Sequence, residues 1–567
     1  MPRTLRILLI LLTLIALSGT SALAYVHQRT GGQHPLRWAD TLVHFVIQSE
    51  GAPGINDGSD LSAVRTGFEA WASSENFLQL AEDSDPAQRA RRDWRSDDVH
   101  LVTWDTNNES GFFGSGSGLV AATPVEFDPA TGAILDADVV LDGTRSWSTT
   151  LEAGKFDVQA VVTHEVGHFL GLDHSAVHRA TMNPAVKEGQ TWQRSLESDD
   201  RAGATALYGV HAGAVLSGSV ERADGTPISG AHVVAERQGV PVAAGLSDVE
   251  GRFRIQGLPG GTYVVYAEPL NGAVTAAHLQ LQSSRQQIEA GFGTTFWGPS
   301  GKSSPRTPSE VSLPAGSQRA LAPLVVEGSA PMRITGSSTP FLRPGHLKQN
   351  ASISGRSLSY ADTVLIPGQD VTLVASRIGI SSVTLELEVS PNAATGLRSV
   401  RLIRDSDEAC VVFTGGFEVR AAGPSVTELR PASAAPGTRI ELAGANLQPG
   451  ARVFLGPGRA PLSLLGADQA SFVLPTVPDG RYTLVVENPD GQTARLSLGL
   501  EVTGGSSASA PLPTEGAGSP PAPGGGGGGG GGCSVSPSSS APGAAWLLLL
   551  GLLLLWSARL GPVRRVA

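Results

Sequence analysis

The stretch Thr163-His164-Glu165-Val166-Gly167-His168-Phe169-Leu170-Gly171-Leu172-Asp173-His174 gathers three imidazoles and one carboxylate in a single short segment. His164 and His168 are four residues apart, so on a helix both imidazoles leave from one face. Glu165, beside the first histidine, can reach a metal-activated water and act as its general base. Gly171 lets the chain leave the helix and brings His174 round as a third ligand. Three histidines with one open position are the donor set of catalytic zinc. Such a metal polarises a carbonyl and lowers the pKa of a water, while Glu165 accepts the proton and passes it to a leaving amine. His178 is close by but outside the pattern, and reads as a surface residue.

Several elements must place that segment. Phe156 to Leu170 is apolar at helical period and ends at Gly171, a C-cap or turn. Leu61, Val64, Phe68 and Trp71 recur at the same period, with Ser59 or Asp60 placed to cap them. Leu42 to Ile47, Val99 to Trp104, Gly118 to Phe127 and Ile134 to Leu141 read as strands, and Asp199 to Leu207 as a last helix. Residues 25–210 are thus expected to form an α+β domain, a mixed twisted sheet carrying the active-site helix. The strand Gly118 to Thr123 is expected to be an edge that accepts an extended peptide by strand addition. Asp136, Asp138 and Asp142 lie on or beside the next strand. Carboxylates at that spacing could help hold Ca2+, and a solvated acidic face is the other reading.

The whole pattern resembles that of the metzincins, and its surroundings resemble a bacterial matrixin-like zinc metalloprotease. Met182, eight residues after His174 in Ala180-Thr-Met-Asn-Pro184, looks like the Met-turn that floors the metal site. Ser175 and the run from Leu196-Glu-Ser-Asp-Asp200 to Leu207-Tyr-Gly209 are similar to that family too. The resemblance implies that Asp199 and Asp200 steady the Met-turn region and the start of the mature chain. On their own they read as helix N-terminal charges favoured by the dipole. It further implies that the segment between Pro184 and Leu196 walls the pocket for the side chain just after the cut bond. Two departures matter. No cysteine precedes Cys410, and Tyr25 to about Arg37 is short, so latency through a propeptide cysteine is not expected. No histidine lies between His100 and His164, so one zinc is expected rather than two.

With 567 residues, 70 of them glycine and 38 proline, the chain calls for several domains and loop-rich β modules rather than one large enzyme. The formal net charge of -11 excludes a nucleic-acid partner, because little here could neutralise phosphates. The chain is expected to be monomeric. Cys410 reads as a small buried hydrophobe. Residues 211–292 resemble the carboxypeptidase-regulatory-like β-sandwiches through Leu216-Ser-Gly-Ser-Val220, Pro227-Ile-Ser-Gly-Ala231 and Gly251-Arg-Phe-Arg-Ile255. Residues 293–422 read as a further all-β unit, a diverged immunoglobulin-like copy or another sandwich. Residues 423–503 resemble an IPT/TIG-type sandwich through Leu442-Ala-Gly-Ala-Asn446 and Gly480-Arg-Tyr-Thr-Leu484. Asn488-Pro-Asp-Gly491 is turn chemistry.

Both ends carry address signals. Residues 1–24 read as an export signal, with Arg3 and Arg6 before an apolar run and Ala22-Leu23-Ala24 at its end. Residues 504–532 are a Gly/Pro/Ser-rich linker ending in nine glycines, Gly524 to Gly532. Residues 533–567 hold Cys533, an apolar span at 541–558 and the basic cluster Arg559, Arg564, Arg565. This layout resembles a MYXO-CTERM sorting tail. The resemblance implies transient membrane retention, processing near Gly532-Cys533 by sorting machinery, and attachment at the outer cell surface with Cys533 as the lipid-bearing residue. The expected function is a secreted, surface-anchored zinc endopeptidase acting on extended extracellular protein or peptide. The alternative is a surface adhesion or envelope-binding protein whose zinc domain is slow or inactive.

Overall fold

The computed structural model describes residues 27–505 except 31–33, 73–77, 95–96, 115, 210–212, 278, 280–287, 330 and 339–340. It also describes 529–531 and 534–535. The export signal, Cys533 and the apolar span 541–558 lie outside the described residues. Among those described, no helix is long and apolar enough to cross a membrane.

The first unit is a sheet of β1 (Arg37–Trp38), β2 (Leu42–Ile47), β3 (Gln79–Asp83), β4 (Leu101–Asp105), β5 (Ala121–Phe127), β6 (Ala133–Ala137) and β7 (Val139–Asp142). β2 pairs in parallel with β3 and β4, and β4 in parallel with β7. β5 runs antiparallel to β6 and β7 in one continuing register, Val125 opposite Ala137 and Ala121 opposite Leu141. The single strand expected at Ile134 to Leu141 is therefore divided at Asp138. In that register Asp138 faces Pro124, which has no N–H to give, so the ladder lapses there.

Two helices pack on the sheet, α1 (Ser59–Ala72) and α2 (Val158–Phe169). Phe45 of β2 stacks on Phe68 of α1 at 3.7 Å, and Phe68 meets Phe169 of α2 edge-on. Trp71 Nε1 donates to the Thr163 carbonyl at 2.7 Å, tying α1 to the turn that carries the first histidine. Asp157 caps α2 by accepting from Ala160 N at 2.9 Å. The last helix of the unit, α3, spans Ser198–Tyr208. Its Tyr208 hydroxyl donates to the Leu170 carbonyl at 2.7 Å, fixing the exit of α2.

Three β-sandwiches follow. The core of the first runs from Ala214 through Phe292 and Trp297 to Val326. A boundary after 292 does not hold, because strand Glu310–Leu313 pairs with Gly261–Glu268, and Leu324–Val326 with Ala214–Arg222. The second sandwich has its core between Met332 and Val419 and closes with the antiparallel pair Gly396–Ile403 and Cys410–Val419. Cys410 is a buried free cysteine on that last strand. The third has its core between Leu429 and Val502.

These sandwiches are docked on the α+β unit. His178, expected at the surface, is half-buried with its ring 4.8 Å from Phe413, and its backbone N–H donates to Thr414 O at 3.0 Å. The second sandwich covers it. Arg194 is buried between units: Nε and Nη2 hold Asp157 at 2.9 and 2.7 Å, and Nη1 holds Glu487 of the third sandwich at 2.7 Å.

Candidate metal centre

Every residue of α2 is buried, which is what allows two polar histidines to face inward from consecutive turns. Gly171 ends the helix at φ +90° and lies so close to Leu36 that a Cβ there would sit 2.2 Å from the Leu36 carbonyl. Only glycine meets both conditions. The reversal returns the chain so that His174 faces His164 and His168.

The nitrogens of His164, His168 and His174 come within 4.8 Å of one another, and this is the one group of metal-holding character among the described residues. Two of the rings are oriented from behind. His164 Nδ1 donates to the Thr181 carbonyl at 2.7 Å and His168 Nδ1 to the Leu172 carbonyl at 2.8 Å. With the proton on Nδ1, each Nε2 presents a lone pair to the shared space. His164 Nε2 is buried with no hydrogen-bond partner, and His168 Nε2 is 3.2 Å from His174 Nε2. Burial pushes the His164 imidazole down to about 4 and, with the two neighbouring rings, His168 well below its ordinary value. Neutral, converging imidazoles with an unpartnered nitrogen fit a bound zinc ion.

Glu165 points the other way round α2 and is held by the sheet. Thr123 Oγ1 of β5 donates to Glu165 Oε2 at 2.7 Å. Beneath the histidines lies Met182, fully buried, packed so closely on Gly167 that a Cβ there would meet its sulfur at 2.1 Å. Asp200 holds this turn by accepting from Thr181 N at 2.8 Å and Met182 N at 3.0 Å. It also accepts from Glu197 N at 2.8 Å, closing a capping box on α3. Asp199 has a different task from the one expected. Its carboxylate accepts from Ser175 Oγ at 2.5 Å and from Ala244 N of the first sandwich at 2.8 Å, so it ties α3 to the metal loop and to the next domain.

The three aspartates of β6 and β7 neither form a cation site nor a solvated face. All are buried. Asp136 bonds His100 Nδ1 at 2.8 Å, Asp138 accepts from Leu101 N at 2.8 Å, and Asp142 is paired with Arg145 at 3.0 Å. Their oxygens are engaged in fastening β4, β6 and β7 together. Sequence reasoning missed Thr123, Gln193 and the Arg194 network. Gln193 Nε2 donates to the carbonyls of Thr181 and Asn183 at 3.0 Å, bracing the turn under the metal from the wall side. No periodicity marks these residues, because each acts across tens of positions.

Residues 37–209 match the matrixin family, and 215–289 match the carboxypeptidase regulatory-like domain. The first segment is 25% identical over 174 residues to karilysin of Tannerella forsythia, covering 30% of this chain and 33% of that protein. It is 26% identical over 176 residues to human neutrophil collagenase (31% of this chain, 34% of that protein). Over 126 residues it is 32% identical to matrilysin of Rattus norvegicus (22% of this chain, 45% of that protein). The chain thus spans about a third of the length of the first two and under half of the third.

Proposed function

We propose that this chain, a matrixin domain followed by β-sandwich modules, is a zinc-dependent endopeptidase that hydrolyses peptide bonds in extended segments of extracellular protein or peptide. The observation that carries this reading is the convergence of His164, His168 and His174 beside a glutamate held by the sheet's outer strand. When bound, zinc supplies Lewis-acid chemistry, polarising the carbonyl under attack and easing proton loss from water.

The rest of the work falls to this chain's own groups. β5 offers an edge on which an extended peptide adds as a strand, so the bond to be cut is oriented by main-chain hydrogen bonds. Glu165 takes a proton from the attacking water and delivers it to the departing amine nitrogen, serving as base and then acid. Thr123 holds that carboxylate in one rotamer between the two transfers. Ala185–Val186 and the residues up to Leu196 form the wall beyond the cut bond. The signal at 1–24 and the tail at 533–567 support export and attachment at the cell surface, with Cys533 as the lipid-bearing residue.

The test is the zinc content of the full chain, native and Glu165→Ala, with cleavage of a mixed peptide library by each. Near one zinc in both, with cleavage by the native chain alone, is the expected result. Zinc in both with cleavage by neither would turn the reading toward a binding protein.

A further inference from the structure

We infer that the first substrate of this site is the chain's own tail, cut between Gly531 and Ser534. The inference rests on the endopeptidase reading above and deepens it by naming a substrate.

Val125 of β5 pairs with Ala137 on one side and with Gly529 on the other. The open edge of the sheet is therefore taken by the tail, Gly529 opposite Val125, Gly530 opposite Pro124 and Gly531 opposite Thr123, running antiparallel. Thr123 is the residue whose hydroxyl holds Glu165, so the last paired glycine lies level with the general base. Three positions after Gly531 the chain is paired again, now on the wall. Ser534 faces Ala185 and Val535 faces Val186 in parallel register, just past the Met182 turn that floors the three histidines. One strand end is fixed on the edge beside Glu165, and the next is fixed on the wall beyond the metal ligands. Only three peptide bonds join Gly531 to Ser534.

The sequence suits that passage. Glycines carry no side chain to clash with a cleft, and their strand pairing is main-chain only. A run of identical glycines cannot by itself choose a register, because nothing distinguishes one position from the next. The first side chains after the run, Cys533, Ser534 and Val535, are what stop the tail at one place. Reach is ample, since the 23 residues from 506 to 528 could span at most roughly 80 Å.

The reaction is a hydrolysis. The oxygen of one water bonds to the carbonyl carbon of Gly532, and the C–N bond to Cys533 breaks. Glu165 carries the proton from water to the new amine. The products are a chain ending in the Gly532 carboxylate and a fragment beginning at Cys533. That fragment holds the apolar span 541–558 and the arginines beyond it, so the cut parts the enzyme and its sandwiches from that span.

The experiment uses the full zinc-loaded chain in detergent, native and Glu165→Ala, with intact mass and fragment ends read by mass spectrometry. The native chain should end at Gly532 and the Glu165→Ala chain should stay whole. A native chain that cuts the peptide library but keeps its tail would overturn this inference and leave the endopeptidase intact. Cleavage of neither would remove both. A tail cut equally in both chains would mean that another protease does it. Metal-free Glu165→Ala chain supplies a readout that needs no activity, hydrogen exchange along β5. Adding Gly529→Pro and Gly531→Pro, which removes the tail's strand N–H groups, should speed exchange there by about tenfold. Equal exchange in the two would show that the tail does not occupy the edge.

Discussion

Thr123 Oγ1 donates to Glu165 Oε2 at 2.7 Å across the junction of β5 and α2, so one residue both lies in the strand that receives an extended peptide and holds the glutamate that acts on it. Substrate alignment and proton transfer are thereby set by a common element.

Removing that hydroxyl tests the coupling. Thr123→Val keeps shape and strand propensity but leaves the carboxylate without this donor. A hydrogen bond to a charged group is worth about 1.5–3 kcal/mol, so kcat should fall at least ~10-fold with KM little changed. Thr123→Ser should restore most of the rate. Loss of KM with kcat unchanged would assign Thr123 to the strand alone.

Gly167 should be intolerant of any side chain. A Cβ there meets Met182 Sδ at 2.1 Å and Trp71 Cζ2 at 2.9 Å, and both of these side chains are buried. Gly167→Ala is expected to cost about 1–3 kcal/mol by overpacking and to lower zinc retention, because the residue displaced is the floor of the site. Urea unfolding and zinc content after dialysis measure the two effects.

Arg194 joins the start of α2 to the third sandwich. Arg194→Met leaves the carboxylates of Asp157 and Glu487 without their cation in a buried junction. Breaking one side of such a pair typically costs about 3–5 kcal/mol. The variant should unfold earlier in urea, and adding Glu487→Gln should recover part of the loss. An unchanged midpoint would mean that water replaces the arginine.

Acid should destabilise the zinc-loaded chain partly through His27. Burial, with the charge of Arg29 beside it, pushes this imidazole from 6.5 down to about 3. The folded pKa lies below the unfolded one, so the unfolded state binds the proton first as pH falls. Stability is complete above about 6.5 and is lost progressively toward 3. Between pH 7 and pH 5 the loss should be about 2 kcal/mol, and His27→Leu should flatten that part of the pH profile relative to the native chain.

The metal site was legible in sequence because its logic is local. His164, Glu165, His168, Gly171 and His174 are placed by helical spacing and one glycine turn, and Leu42 to Ile47 forms the strand read there. What could not be read was every relationship that crosses units. Pro124 dividing the facing strand at Asp138, Asp199 reaching Ala244, His178 under Phe413 and the extension of the first sandwich to Val326 each depend on which surfaces meet. Composition and periodicity record what a segment can bury, not what it is buried against. The glycine run shows the same limit. Its sequence specified a tether without side chains, whereas its place along β5 depends on the open edge that the fold of a distant domain provides.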